Sequence, residues 1–339
     1  MNTYELRQML SRFPKAALAL NPTPLHPLKR TQEQLGCGPL FIKRDDLNGI
    51  GIGGNKVRNL EYLLGDAAAK KKETIIVSGQ IQSNLCALCA ACCRRLNLSC
   101  VIVHNSAKPD YAEGNALLNR ILGVEEIFLG GICEEERASA VKKLAQDLEC
   151  SGRRPYIIDN GASTPVGALG YVEAAAELLE QICREGALSS IKNVCVPVGN
   201  GGLAAGFVYG TALLGNPFHV ELISVEHEMD AMRKNILELL DGLETLCGVK
   251  MPCGPEETAT FHSAYRFGGW GVIDPAVEEF NLRFARTEGI FVEKVYTGKA
   301  LYGVCDLARQ GYFADGICYL HSGGIGALFS QYGREEQEE

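Results

Sequence analysis

Residues Thr74–Val103 read TIIVSGQIQSNLCALCAACCRRLNLSCVIV, and this run decides the fold class. Thr74–Val77 and Ser99–Val103 are short apolar runs rich in β-branched residues, without polar alternation. Strands of that kind are covered on both faces. Between them Ser83–Leu96 carries its apolar residues at helical spacing. The same alternation continues outward. Further strands are expected at Glu126–Leu129, Pro155–Ile158, Asn193–Val198, Glu221–Val225 and Gly316–Leu320. Amphipathic stretches lie at Val166–Arg184, Met229–Leu246 and Gly298–Arg309. This pattern predicts an α/β protein with open, twisted, mostly parallel sheets covered by helices.

At 339 residues the chain exceeds the usual size of one core, so two lobes are expected. Hydrophobic residues make up 46% and charged residues 22%, which is ordinary for a folded protein. The net charge of -8 argues against nucleic-acid and membrane-surface partners, both of which need a basic face. No apolar run approaches the roughly 18 residues that span a bilayer. Met1–Leu20 has scattered charges and does not read as a signal peptide. Fourteen cysteines in a chain of this size without such a signal read as reduced thiols, so a cytoplasmic location is expected. The tail Gly333–Glu339 reads as a solvated end. No composition shift marks a domain boundary.

Three glycine-marked segments carry candidate chemistry. In Phe41–Leu64, FIKRDDLNGIGIGGNKVRNLEYLL, a glycine run ends at Asn55-Lys56 and a helical pattern follows. Glycines let backbone approach a bulky planar group, and a desolvated lysine there offers a neutral amine for imine formation. Taken alone, a solvated lysine at a helix start is the commoner explanation. In Ser78–Asn84, SGQIQSN, the loop opens a helix whose free N–H groups suit a carboxylate; ordinary N-capping by Ser83 or Asn84 explains it equally well. In Val198–Gly206, VGNGGLAAG, successive N–H groups after an apolar strand can cradle a phosphate. Gly199-x-Gly201-x-x-Ala204, with Glu226 at the end of the next strand, also fits a dinucleotide fingerprint. A nicotinamide-dependent dehydrogenase is therefore a competitor at this point.

Two later loops, Val295–Gly303 (VYTGKALYG) and Tyr319–Gly326 (YLHSGGIG), sit where strand-end loops carry sites in open sheets. Each alone reads as a tight turn. The run Cys86-x-x-Cys89-x-x-Cys92, with Cys93 adjacent, is spaced like an iron–sulfur run but has Leu96 where a fourth cysteine belongs. Positions 86, 89 and 93 share one helix face with Ala90 and Leu96, so core packing accounts for them better. No metal is expected, and His104, His227 and His262 are given no ligand role.

Taken together and in order, these segments resemble the pyridoxal 5'-phosphate (PLP)-dependent D-cysteine desulfhydrases and 1-aminocyclopropane-1-carboxylate (ACC) deaminases, which have the tryptophan synthase β-type fold. The resemblance runs from Pro22 to Phe329 and is most specific from Lys43-Arg44-Asp45-Asp46 through Gly53-Gly54-Asn55-Lys56 to Leu60-Glu61. It implies a larger cofactor-binding domain (1–56 plus 165–339), a smaller one (57–164), the cofactor in the cleft between them, and a homodimer. It implies Lys56 as the imine lysine and Asn84 at the cofactor's phenolic oxygen. Gln82, Ser83 and Asn84 would hold the substrate carboxylate, with Ser83 also a proton relay. Gly199, Asn200, Gly201, Gly202 and Leu203 would cradle the phosphate. Tyr296 and Trp270 would approach the substrate, and Thr297 and Ser322 are the candidates for the ring nitrogen. ACC deaminases resemble one another in having Glu at the position of Thr297, so the resemblance favours the desulfhydrase branch: β-elimination from a small amino acid, D-cysteine above all. ACC deamination and cysteate sulfo-lysis are the alternatives, along with PLP binding without catalysis. Asn59, Leu85, Leu203 and Trp270 depart from the pattern, which more often shows Lys, a polar residue, Thr and Tyr there.

Overall fold

Ten strands form two sheets among the described residues, 1–332, of the computed structural model. The tail Gly333–Glu339 lies outside the described residues. The strands are β1 (Leu25–Pro27), β2 (Leu40–Arg44), β3 (Thr74–Gly79), β4 (Ser99–His104), β5 (Glu125–Phe128), β6 (Pro155–Ile158), β7 (Ile191–Val198), β8 (His219–Ser224), β9 (Ala259–His262) and β10 (Gly316–His321). One sheet has six strands in the order β1-β2-β10-β7-β8-β9, and the other has four in the order β5-β4-β3-β6. Every pairing is parallel except that of β1 with β2.

All seven predicted strands are present. The three additional ones have physical reasons for escaping the pattern. β1 and β9 are short edge strands, and β1 contains Pro27, which an edge tolerates. β2 ends in Lys43-Arg44 and runs into Asp45-Asp46, charges that look like a surface loop.

Those charges are buried instead. The Arg58 guanidinium donates to both Asp45 oxygens at 2.8 Å and to the Glu177 carboxylate at 2.9 and 3.0 Å. Lys43 Nζ donates to Gln181 Oε1 at 2.6 Å and to the Thr23 carbonyl at 2.8 Å, and it also pairs with Glu177. The Tyr171 hydroxyl donates to Asp45 Oδ2 at 2.7 Å. Burial would raise the Asp45 carboxyl, but the Arg58 guanidinium outweighs it and holds the group down at about 2. This node ties β2 to the Lys56–Ala69 helix and the Pro165–Arg184 helix.

The Lys56–Ala69 helix turns its apolar residues Val57, Leu60, Leu63, Leu64 and Ala67 into the core beside Ile75 and Val77 of the four-stranded sheet. The Pro165–Arg184 and Gly202–Leu213 helices pack closely in the core of the other sheet. A Cβ on Gly206 would collide with the Ala168 carbonyl, so glycine sets that approach. Among the described residues no helix is long and apolar enough to cross a membrane.

Candidate active site

A cleft of about 580 Å³ is lined by the segments that follow β3, β6, β7, β8 and β10. In open α/β sheets the carboxyl ends of strands are where ligands bind. The volume falls in the usual range for a small-molecule site.

Lys56 opens its helix and lines the cleft, with Asn55 as the residue before the first turn. The amide of Asn55 donates to the Ser322 carbonyl at 2.8 Å, and the amide side chain of Asn48 donates to the Gly54 carbonyl at 2.7 Å. A Cβ on Gly323 would come within 2.6 Å of the Gly54 Cα, so the loop carrying Lys56 lies directly on the loop after β10. Lys56 Nζ donates to the Gly161 carbonyl at 2.8 Å. Burial lowers its ammonium to about 8, against the opposing pull of Glu226. A usable fraction of neutral amine therefore exists near neutrality.

Ser83 is the N-cap of the Asn84–Arg95 helix and accepts from the Cys86 N–H at 3.3 Å. Capping uses its oxygen as acceptor and leaves its proton to donate. The backbone bends tightly here, and a Cβ on Gly79 would come within 2.8 Å of the Ser83 hydroxyl. Asn115 Nδ2 donates to Asn84 Oδ1 at 2.8 Å, which leaves Asn84 Nδ2 as the donor for the cleft. Gln82 uses both ends of its amide: Nε2 donates to the Glu113 carbonyl at 3.1 Å, and Oε1 accepts from the Asn115 N–H at 2.8 Å. Its side chain thus pins the loop to the helix starting at Gly114.

Gly199, Asn200, Gly201, Gly202 and Leu203 line the cleft between β7 and the Gly202–Leu213 helix. Gly201 has φ +95°, a conformation glycine adopts without strain. The first-turn N–H groups of this helix make an anion site. Ser163 frames it by accepting from the Gly202 N–H at 3.2 Å. Asn59 lies behind, buried, its Nδ2 donating to the Gly167 carbonyl at 3.0 Å.

Tyr296 precedes the Thr297–Arg309 helix, and its hydroxyl accepts from Trp270 Nε1. Burial, reinforced by Glu226, pushes the phenol above the ordinary tyrosine range, so it stays protonated. Thr297 is buried, and its hydroxyl accepts from the Glu293 N–H at 3.0 Å and donates to Glu293 Oε1 at 3.3 Å. Ser322 lines the cleft at the end of β10.

The structure brings every predicted site residue to one cleft, along with others that sequence reading passed over. Glu293 gathers the N–H groups of Val295, Tyr296 and Thr297 at 2.6–2.7 Å and builds the helix start. Glu226 was noticed only as part of a dinucleotide pattern. Its carboxylate faces the cleft, with Oε2 buried and without a hydrogen-bond partner. Burial raises its carboxyl above the usual range. Arg137, on the Glu134–Cys150 helix, reaches the cleft and donates to Asn105 Oδ1 at 2.8 Å and Glu134 Oε1 at 3.0 Å. Charged residues at the ends of strands were the available signal for Glu226; Arg137 and Glu293 had none.

A buried lysine, a glycine-framed anion cradle and a facing N-terminal helix loop fit pyridoxal phosphate, a planar group with an aldehyde and a phosphate. The sequence profile of pyridoxal-phosphate dependent enzymes matches residues 16–323, and the chain belongs to that family. It is 34% identical over 330 residues to a protein of Pyrococcus abyssi named "Putative 1-aminocyclopropane-1-carboxylate deaminase", covering 97% of both chains. It is 33% identical over 334 residues to the D-cysteine desulfhydrase of Yersinia pestis, covering 96% of this chain and 98% of the relative. The solved structure of an ACC deaminase homologue superimposes with a TM-score of 0.87 at 34% identity, covering 97% of both chains. The cofactor is pyridoxal phosphate, the fold is the type II fold of such enzymes, and the chain is a lyase or deaminase of the ACC deaminase and D-cysteine desulfhydrase group. The dehydrogenase alternative falls with this match.

Proposed function

We propose that the chain catalyses β-elimination from D-cysteine, consuming one water and releasing pyruvate, hydrogen sulfide and ammonia. The carrying observation is that Thr297, a neutral hydroxyl, lines the cleft at the position where the family likeness sets the ring nitrogen's partner. Thr297 stands where ACC deaminases have Glu, and the nearby Glu293 carboxylate is taken up by three backbone N–H groups. The hydroxyl of Ser322 is then the group available to the ring nitrogen.

When bound, pyridoxal phosphate supplies the electron sink for the charge left as the substrate's α-proton departs. The residues around it divide the remaining work. The first-turn N–H groups of the Asn84–Arg95 helix and the Ser83 hydroxyl receive the substrate carboxylate. Asn84 Nδ2, fixed by Asn115, would donate to the cofactor's phenolic oxygen. The Lys56 amine, kept partly neutral by burial, would take the α-proton, with Ser83 as its relay. The Tyr296 hydroxyl, oriented by Trp270, donates to the leaving sulfur. We take residues 57–164 as the smaller lobe, because the Lys56–Ala69 helix packs its apolar face with β3. We take the assembly as a homodimer, which sedimentation would test.

The experiment is a product screen over D-cysteine, L-cysteine, β-chloroalanine, cysteate and ACC. Pyruvate from D-cysteine well above the other substrates supports the reading. A second reading, ring-opening of ACC to 2-oxobutyrate, draws support from the names of the Pyrococcus relatives. ACC has no α-proton, so Lys56 could not begin that reaction as above. 2-Oxobutyrate from ACC at a rate matching pyruvate from D-cysteine would reverse the ranking.

A further inference from the structure

The cysteines of the Asn84–Arg95 helix play no part in the elimination, and the structure divides them. Cys86, Cys89, Cys92 and Cys93 are all buried in the apolar core around β3, and only the second and last of them meet. Cys89 and Cys93 lie one turn apart on one helix face, with their Sγ atoms 4.0 Å from each other. Cys100, on β4, adds a third sulfur, and all three Sγ atoms lie within 4.8 Å of one another. The three are free thiols. The sequence spacing pointed to positions 86, 89 and 92; the fold assembles 89, 93 and 100.

The dimensions are informative. Three thiolates around one ion at about 2.3 Å place neighbouring sulfurs about 4.0 Å apart in a trigonal arrangement. The observed triangle is close to that. The ligand set is sulfur alone, with no imidazole or carboxylate in the group. Such a set excludes hard cations, which require oxygen. It also falls one ligand short of the closed tetrahedral set of structural zinc. Soft thiolate ligands suit Cu(I), zinc and iron–sulfur clusters, and of these Cu(I) is the one that three sulfurs without a fourth ligand can complete. Cys100 is partly exposed, while the other two are buried, so it provides the route of entry.

We propose that Cys89, Cys93 and Cys100 form a binding site for one soft monovalent metal ion, Cu(I), on the lobe opposite the cofactor cradle. Each copper–sulfur bond that forms replaces an S–H bond, and the proton leaves to solvent; no electron is transferred.

The test uses the full chain loaded with pyridoxal phosphate, carrying Cys133→Ser, Cys150→Ser and Cys183→Ser to remove the exposed thiols. Cu(I) is titrated anaerobically against bicinchoninate. One equivalent retained per chain, with three sulfurs at about 2.3 Å by X-ray absorption, is expected. Adding Cys100→Ser should weaken retention roughly 100-fold, because one metal–sulfur bond is lost. No retained copper, or retention indifferent to Cys100→Ser, overturns the proposal. Should the variants misfold, the unsubstituted chain decides through maleimide labelling mapped by mass spectrometry. One equivalent of Cu(I) should protect Cys100 from modification, and an unchanged labelling rate at Cys100 overturns the proposal.

Discussion

The indole N–H of Trp270 donates to the hydroxyl of Tyr296, so the tyrosine oxygen is held as an acceptor and its proton is directed elsewhere. Trp270 is 48% exposed and sits at the mouth of the cleft. This partnership gives a role to a residue that departs from the family pattern. Trp270→Phe keeps an aromatic ring and removes the donor. One hydrogen bond is worth about 1 kcal/mol, so kcat should fall roughly fivefold with cofactor binding unchanged. Tyr296→Phe should cost roughly 100-fold in kcat, the scale of a lost general acid. Steady-state pyruvate release separates the two. Equal losses would mean that Trp270 does more than orient the phenol.

Lys56 sets a pH dependence. Its ammonium is lowered to about 8, and only the neutral amine reacts with an aldehyde. Uptake of pyridoxal phosphate by the ligand-free chain should accelerate about tenfold per pH unit up to that value and level off above it. Glu226 pulls the other way, favouring the charged amine. Glu226→Gln should therefore move the profile to lower pH, as stopped-flow absorbance at several pH values would show. Lys56→Ala should abolish turnover, and a fully active Lys56→Ala enzyme would remove the proposed mechanism.

Asn115 does not line the cleft, yet it fixes two pieces of the site. It donates to Asn84 Oδ1 at 2.8 Å and to the Gln82 carbonyl at 2.9 Å. Asn115→Ala should weaken pyridoxal phosphate binding by roughly tenfold, within the range for loss of an orienting partner. Fluorescence titration of the cofactor would measure it. Unchanged affinity would mean that the Asn84 amide is held by its own loop.

The buried ion node should govern acid stability. Asp45 has a folded value of about 2 against an ordinary 3.8. Its contribution is therefore fully present above the ordinary value and is lost as the pH falls through the folded one. Asp45→Asn leaves Arg58 with Glu177 as its remaining carboxylate partner. Breaking a buried pair in this way costs about 3–5 kcal/mol. Urea midpoints at neutral pH and in acid should both register the change, and the gap between wild type and variant should narrow in acid.

The alternation of apolar strands and helices was legible because every central strand is covered on both faces. β2 was not, because Lys43, Arg44, Asp45 and Asp46 look like surface until Arg58 and Glu177 are seen opposite them. The cleft residues on strand-end loops could be collected from glycine patterns and family likeness. Glu293 and Arg137 could not, since both act through groups far away in sequence or through backbone N–H groups, and neither leaves a spacing signature. The thiol triangle was half visible: the helix positions were, and Cys100 needed the register of β4 against β3.

The hydrogen bond from Lys56 to the Gly161 carbonyl has a consequence for motion. Gly161 lies between β6 and the Pro165–Arg184 helix, where the chain leaves the four-stranded sheet for the other half of the molecule. In the ligand-free chain the lysine is a latch on that crossing. Commitment of the amine to the cofactor would release that bond. Amides at 159–164, a segment that lines the cleft through Asn160, Gly161 and Ser163, should then exchange with deuterium at different rates in the two forms and report occupancy.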